Sequence, residues 1–364
     1  MSMSTTPVIP QSADDITASW LTAALQSTGA ATGTAASVEI APIGVGVGLV
    51  GALVRVTPTW VDGTGPATII AKFPSPADSS RFVAAVLGLY RKEVRFYEEL
   101  ADRCAVRHAQ CFYADLDEET HDFVLLLEDL SGGRTVDQLD GCIRADAELA
   151  IDRLADFHAG FWNDAALVDN GWLGRLADSP FPESIAFSFE QAWAPVQALF
   201  GDHIPAEIAA LGDRFPALLP EITARLSDSP FTLSHGDYRL DNFFFYDDGT
   251  MALCDWQLVD RSRGGRDLAY FLTQSFAPKV REALEQQLVQ RYVARLEANG
   301  IAGYSFEMAW EDYRLGALLA LAYPVIAGGG LDHANERATE LTGTILDRCI
   351  AAIIHLDCVD LISA

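Results

Sequence analysis

Positive charge is scarce in this chain: 25 Lys and Arg stand against 51 Asp and Glu, a formal net charge of −26. A surface of that sign repels phosphate polymers and anionic bilayers, so neither nucleic acid nor a membrane is an expected partner, whereas a cationic substrate is permitted. The six cysteines, Cys104, Cys111, Cys142, Cys254, Cys349 and Cys358, are scattered without a C-x-x-C pair. That pattern excludes a structural zinc ribbon, and with no secretory leader ahead of it the expectation is free thiols in a reducing cytoplasm. Uninterrupted apolar runs of membrane-spanning length are missing too. The longest uncharged run, 315–331, is broken by Pro324 and by Gly328, Gly329 and Gly330, and reads as a buried helix.

What is present is length and apolar content. With 364 residues, half of them apolar, two lobes are expected. After a polar start, Asp14 or Asp15 caps a short helix through ITASWLTAAL, an N-terminal clasp. From 38 to 73 alternating β-branched residues, broken by glycines and by DGTGP, predict three antiparallel strands. A helix over 80–100 follows, with Phe82, Val86, Leu89, Glu93 and Tyr97 on one side. FVLLLEDL, 123–130, is a buried strand ending in a turn at Ser131, Gly132 and Gly133, and the lobe boundary is placed there: 1–130 and 131–364. The second part is mainly helical with one β interlude at 231–257.

That interlude carries the chemistry. NFFFY and MALCDW flank DDGT as a hairpin with a four-residue loop, and pairing Tyr246 with Met251 sets Asn242 opposite Asp255. Cross-strand partners have Cβ atoms about 5 Å apart, so an amide oxygen and a carboxylate would form a corner suited to Mg²⁺. Asp237, five residues before Asn242, is the candidate general base. His235 would brace its loop. Asp267, in GGRDLAYFL, would accept backbone N–H groups at a helix start and so support the loop structurally.

Gly46, Gly48 and Gly51 spell G-x-G-x-x-G, but strand-like ALVRVTPTW follows rather than a helix. The loop therefore joins two strands and lays backbone N–H groups over phosphates instead of opening a dinucleotide fold. Lys72 ends an apolar strand, where a buried ammonium requires an anion, and Glu93 on the next helix is the natural partner. Arg91 and Arg95 are the competing partners for Glu93.

HGD at 235–237, Asn242, DWQ at 255–257 and RDLAYFL at 266–272 resemble the aminoglycoside phosphotransferase and choline kinase-like superfamily, and with LEDL at 127–130 most resemble its ecdysteroid kinase-like branch. The resemblance implies an α+β, protein kinase-like bilobal fold, with a small antiparallel β-sheet N-lobe carrying one main helix and a larger, mainly helical C-lobe. It also implies use of ATP and Mg²⁺ to phosphorylate a hydroxyl of a small metabolite or antibiotic. Asp237 would be the catalytic base, Asn242 and Asp255 the metal ligands, Lys72 the grip on the α and β phosphates and Glu93 its anchor. Glu128, Asp129 and Leu130 would supply the adenine hinge through main-chain groups. HGD replaces the kinase HRD, DWQ replaces DFG, and no A-P-E element follows, which sets a protein substrate aside.

The candidate acceptor wall is 308–324, where Glu311, Asp312 and Tyr313 would suit an amine or hydroxyl or else form only the wet face of a helix, while Trp310, Leu318 and Phe271 would suit a steroid-like alcohol or hydroxyacyl group. Both classes stay open. Two other functions compete: a catalytically inactive nucleotide-binding regulator of the same fold, and a metal-dependent phosphoester hydrolase built on His235 and the aspartates, whereas His158, on a helix facing Leu154 and Phe161, reads as a satisfied core histidine.

Overall fold

The computed structural model describes residues 7–43, 51–331 and 335–362. Contacts divide the chain into two compact units, Met1–Arg103 with Arg107–Gly133, and Cys104–Val106 with Arg134–Ala364. The junction lies at Gly133 and Arg134, at the end of the Ser131–Gly133 turn.

The first unit opens with helix α1, Ala18–Thr28. Its N-cap is Thr17, whose Oγ1 accepts the Trp20 N–H at 3.1 Å, rather than Asp14 or Asp15. The expected acidic cap is displaced because Asp15 closes a separate turn, accepting the Ser12 N–H at 2.9 Å, and the chain then buries Ile16 before the helix starts. Five strands follow: β1 Thr34–Ile43, β2 Gly51–Asp62, β3 Ile69–Pro74, β5 Cys111–Leu116 and β6 Phe123–Glu128, with a two-residue strand β4, Arg107–His108, between β3 and β5 in the chain. They form one antiparallel sheet in the order β1-β2-β3-β6-β5.

Period-two alternation decides which side chains face where. Ile69, Ala71 and Phe73 of β3 and Val124 and Leu126 of β6 join Leu21 and Leu25 of α1 in one buried cluster. Lys72 therefore points to the other face, on which Tyr90 stacks over Phe123 at 4.4 Å between ring centroids.

The helix expected over 80–100 is three pieces: α2 Asp78–Leu87, α3 Leu89–Arg95 and a π turn Phe96–Leu100. Gly88 adopts φ 65°, a left-handed value that favours glycine and ends α2. The break resets the helical phase. Leu89, Glu93 and Tyr97 are buried as expected, but Phe82 and Val86 are exposed, so the single apolar side read from the sequence does not cross Gly88.

The second unit comprises α4 Arg144–Ala159, short α5 Ala165–Val168, α6 Phe181–Phe200, α7 Ala206–Leu226, α8 Gly265–Gln274, α9 Pro278–Ala298, α10 Phe306–Ala320, α11 Ala322–Gly329 and α12 Glu336–His355. Strand β7, Thr232–Ser234, pairs with β10, Asp260–Ser262, and β8, Phe243–Phe245, pairs with β9, Met251–Leu253. These ribbons sit among helices and carry the polar residues of interest. The uncharged run 315–331 spans α10 and α11, and no helix among the described residues is long and apolar enough to cross a membrane.

Leu25→Ala should lower unfolding free energy by about 2–5 kcal/mol, because it empties a closed apolar cluster. Phe82→Ala, on the outward side of the Gly88 break, should stay within about 0.5 kcal/mol of wild type. Denaturant unfolding of both variants checks the contrast; an equal loss in the two would return Phe82 to the buried face.

Candidate functional site

The loop after β7 begins with His235 and Gly236. At Gly236 φ is 81°, and a Cβ there would meet the Leu258 carbonyl oxygen at 2.4 Å, so only glycine fits. The backbone N–H groups of His235 and Gly236 both donate to Asp267, at 2.7 Å to Oδ2 and 2.8 Å to Oδ1. Asp267 lies in the first turn of α8 and supports the loop by accepting backbone N–H groups, as expected, but those groups belong to the loop rather than to its own helix start. His158 of α4 completes its shell: Nε2 lies 3.1 Å from Asp267 Oδ2, and Nδ1 lies 2.7 Å from the Tyr292 hydroxyl.

His235 is fully buried and braces the loop in two directions. Nε2 meets the Cys254 carbonyl oxygen at 3.0 Å, while Nδ1 accepts the Asp237 N–H at 3.2 Å. Burial lowers its pKa, which agrees with a neutral ring that must accept at one nitrogen and donate at the other. His158 is the satisfied core histidine expected, and with its ring committed in this way His235 is not available as a metal ligand. The hydrolase reading loses its histidine.

Asp237 follows. Asn242 Nδ2 donates to its Oδ2 and to its backbone carbonyl, both at 2.9 Å, and Arg239 Nε lies 3.1 Å from Oδ1. Burial alone would raise the carboxyl pKa, but the Arg239 cation, the Tyr270 hydroxyl, His235 and Asn242 together hold it below its ordinary value. The group is an anion at neutral pH with its orientation constrained.

The hairpin register differs from expectation by one residue. Phe245 pairs with Met251 and Phe243 with Leu253, and the loop is Asp247, Asp248 and Gly249, since Tyr246 and Thr250 still bond at 2.9 Å. Gly249 at φ 80° supports this three-residue turn, the one-residue difference from the four-residue loop read in the sequence. Asn242 consequently faces Cys254, whose N–H donates to its carbonyl at 3.1 Å, and Asp255 lies one residue beyond the ladder at φ 68°. A non-glycine residue in that conformation carries strain, and the bend turns Asp255 out of the strand.

The donor set fits Mg²⁺. The Asn242 amide nitrogen is committed to Asp237, which leaves its carbonyl oxygen, and Asp255 adds a half-buried carboxylate. Among the described residues no group of three or more His, Cys, Asp or Glu could hold a metal. Two hard oxygens match an ion that takes its remaining ligands from phosphates and water.

In the first unit, Lys72 Nζ lies 2.6 Å from Glu93 Oε2, with both side chains buried. Arg91 and Arg95 turn elsewhere, pairing with Glu118 at 3.3 and 3.1 Å. Of the hinge candidates, the Glu128 N–H donates to Gln110 at 2.8 Å and the Leu130 carbonyl accepts from Gly133 at 2.9 Å. The Asp129 carboxylate accepts from Arg55 at 2.7 Å. Gly51 opens β2 opposite Pro74, while Gly46 and Gly48 lie outside the described residues.

The acceptor wall read from sequence is largely core. Asp312 is buried against Arg263 and Tyr304, each at 2.8 Å, and Tyr313 is buried on Glu285 at 2.8 Å. Leu318 and Phe271 have no exposed surface, and Glu311 points outward to Arg225 at 3.1 Å. Arg239 and Tyr270, which do stand beside Asp237, were missed. For Arg239 the signal was present: D-x-R-x-D at 237–241 sets an arginine between two acids of one loop.

Residues 50–301 match the ecdysteroid kinase-like family. The chain belongs to that family. This ecdysteroid kinase-like protein also shares its fold with solved structures of low sequence identity. A protein described as an aminoglycoside phosphotransferase from Ralstonia eutropha JMP134 is 16% identical, with a TM-score of 0.54 over 93% of this chain and 97% of that one. A choline kinase from Cryptosporidium parvum Iowa II is 12% identical, with a TM-score of 0.54 over 89% and 92%. The GDP complex of an aminoglycoside 2'-phosphotransferase is 11% identical, with a TM-score of 0.50 over 90% and 93%. No curated protein matches the ecdysteroid kinase-like chain. The likeness establishes the α+β, protein kinase-like fold.

Asp267 links the site to stability. Burial opposes its charge, but the hydrogen bond from His158 and the nearby Arg266 cation bring its pKa from 3.8 to about 2. A folded value below the unfolded one stabilises the fold above about pH 4, and this is lost as pH falls through about 2. The contribution at neutral pH is about 2 kcal/mol. Asp267→Asn should lower unfolding free energy by at least that amount at neutral pH, with the gap to wild type narrowing between about pH 4 and pH 2. A gap independent of pH would refute the linkage.

Proposed function

We propose that this protein is a small-molecule kinase that transfers the γ-phosphoryl group of ATP to a hydroxyl of a small hydroxylated acceptor. Family membership and fold support a small-molecule kinase, and the finer reading is carried by one observation: Asp237, an anion fixed by Asn242 and Arg239 on a loop anchored by Asp267, lies next to the hairpin that bears Asp255.

Asp237 accepts a hydrogen bond from the acceptor hydroxyl and orients its oxygen towards the γ-phosphorus. The oxygen–phosphorus bond forms, the bond to ADP breaks, and the hydroxyl proton passes to Asp237. A carboxylate with a lowered pKa is a weak base, so its main work is orientation, with proton transfer late in the reaction. Asn242 and Asp255 would hold Mg²⁺, which supplies charge neutralisation at the phosphates when bound. Lys72 would meet the α and β phosphates, kept in place by Glu93, with the backbone at 128–130 and the glycines at 46–51 serving the nucleotide. A cytoplasmic setting, where ATP and Mg²⁺ are abundant, belongs to the same reading.

Two rivals remain distinguishable by chemistry. An inactive nucleotide-binding regulator releases no ADP, and a phosphoester hydrolase needs only water. ADP release with MgATP should therefore depend on an added alcohol from a pool of amino sugars, choline-like amines, sterols and hydroxy acids.

Asp237→Ala should reduce turnover roughly 10²- to 10⁴-fold while leaving MgATP affinity nearly unchanged. Asp255→Ala should abolish the Mg²⁺ dependence of nucleotide binding. Calorimetry with and without Mg²⁺, beside the ADP assay, separates the two roles; undiminished turnover in Asp237→Ala would end the assignment.

A further inference from the structure

Arg239 lies between two carboxylates of its own loop. Its Nε is 3.1 Å from Oδ1 and 3.2 Å from Oδ2 of Asp237, and its Nη1 is 3.0 Å from Oδ2 of Asp241. The Arg239 side chain is 25% exposed and that of Asp237 only 8%, so the guanidinium covers the outer edge of the buried anion. Asn242 holds Oδ2 from another direction at 2.9 Å. Local chain geometry explains the assembly: Leu240–Asn242 form a 3₁₀ turn directly after Arg239, which folds Asp241 back beside the arginine.

We propose that Arg239 and Asp241 are positioning residues for the Asp237 carboxylate. The guanidinium is a rigid planar fork, so fixing one arm on Asp241 fixes the direction in which Nε meets Asp237. Asp241 thus acts through Arg239, and Arg239 acts through Asp237, setting the plane of the carboxylate and the lone pair that meets an acceptor hydroxyl. Holding that direction matters because reacting groups displaced by about 1 Å can lose about 10²-fold in rate. A lysine cannot substitute, since a single ammonium on a flexible stem does not span both acids in a set geometry. The inference rests on the reading of Asp237 as the residue that takes the hydroxyl proton.

The test is a double-mutant cycle on the full chain with Arg239→Gln, Asp241→Asn and the double variant, together with Arg239→Lys. Turnover is read as ADP release with MgATP and a probe mixture of amino sugars, choline-like amines, sterols and hydroxy acids. Arg239→Gln should lower kcat about 10- to 100-fold with KM for MgATP and for the probe within about threefold. Asp241→Asn should lower it less, the double variant no further than Arg239→Gln alone, and Arg239→Lys should recover little. Denaturant midpoints of the same variants, measured without nucleotide, should show the same non-additivity. Independent, multiplying losses in the double variant, additive midpoints, or a defect confined to KM would overturn the proposal. Absence of alcohol-dependent ADP release by the wild type would instead overturn the kinase reading, and the unfolding cycle would still decide whether Arg239 and Asp241 act as one unit.

Discussion

A single buried carboxylate organises the second unit. Asp267 receives two backbone N–H groups from the loop before Asp237 and one side-chain bond from His158, so helices α4 and α8 and the loop share one anion. Satisfying backbone donors with a charge buried in this way is strong bonding where the alternative is an unpaired polar group in the interior. The placement of the His235–Asp237 loop depends on it. His235, placed by that bond, reaches the Cys254 carbonyl and so joins the loop to the hairpin, while Asn242 returns from the hairpin to Asp237. The ring of contacts closes on itself with few water-exposed members.

Much of this was legible because spacing constrains geometry over short distances. HGD, Asn242 and DWQ lie within a single loop and hairpin, where few conformations are possible. Lys72 was readable for a related reason: alternation along β3 sends it away from the α1 cluster and towards the helix that carries Glu93. What failed were details set by single backbone torsions. Gly249 in a left-handed conformation shortens the hairpin loop by one residue, and the same torsion at Gly88 divides a helix whose apolar period otherwise looks continuous. Both positions do carry a sign of it, D-D-G in a hairpin loop and a glycine inside a helical run, but at Gly88 that sign competes with an apolar period that looks continuous across it.

Acceptor-side residues were harder for a different reason. From sequence the acids of α10 read as facing either a ligand or solvent, because sequence shows polarity but not partners. Asp312 and Tyr313 are consumed by Arg263, Tyr304 and Glu285 in the interior. Such buried polar networks contribute specificity of packing as well as stability, and their members read like site residues until the partners are placed. Arg239 had the converse problem: it sits beside the motif and was overshadowed by it.

The chain contains three lysines, Lys72, Lys92 and Lys279, and otherwise draws its cationic side chains from arginine. Lys72 is held against Glu93 with 6% of its surface exposed, Lys92 is half-buried and Lys279 is exposed. To an acylating reagent, then, the two units differ as targets: the second carries an open amine, and the first shields the amine paired with Glu93. The rate at which such a reagent captures Lys72 becomes a clock for how often its contact with Glu93 opens.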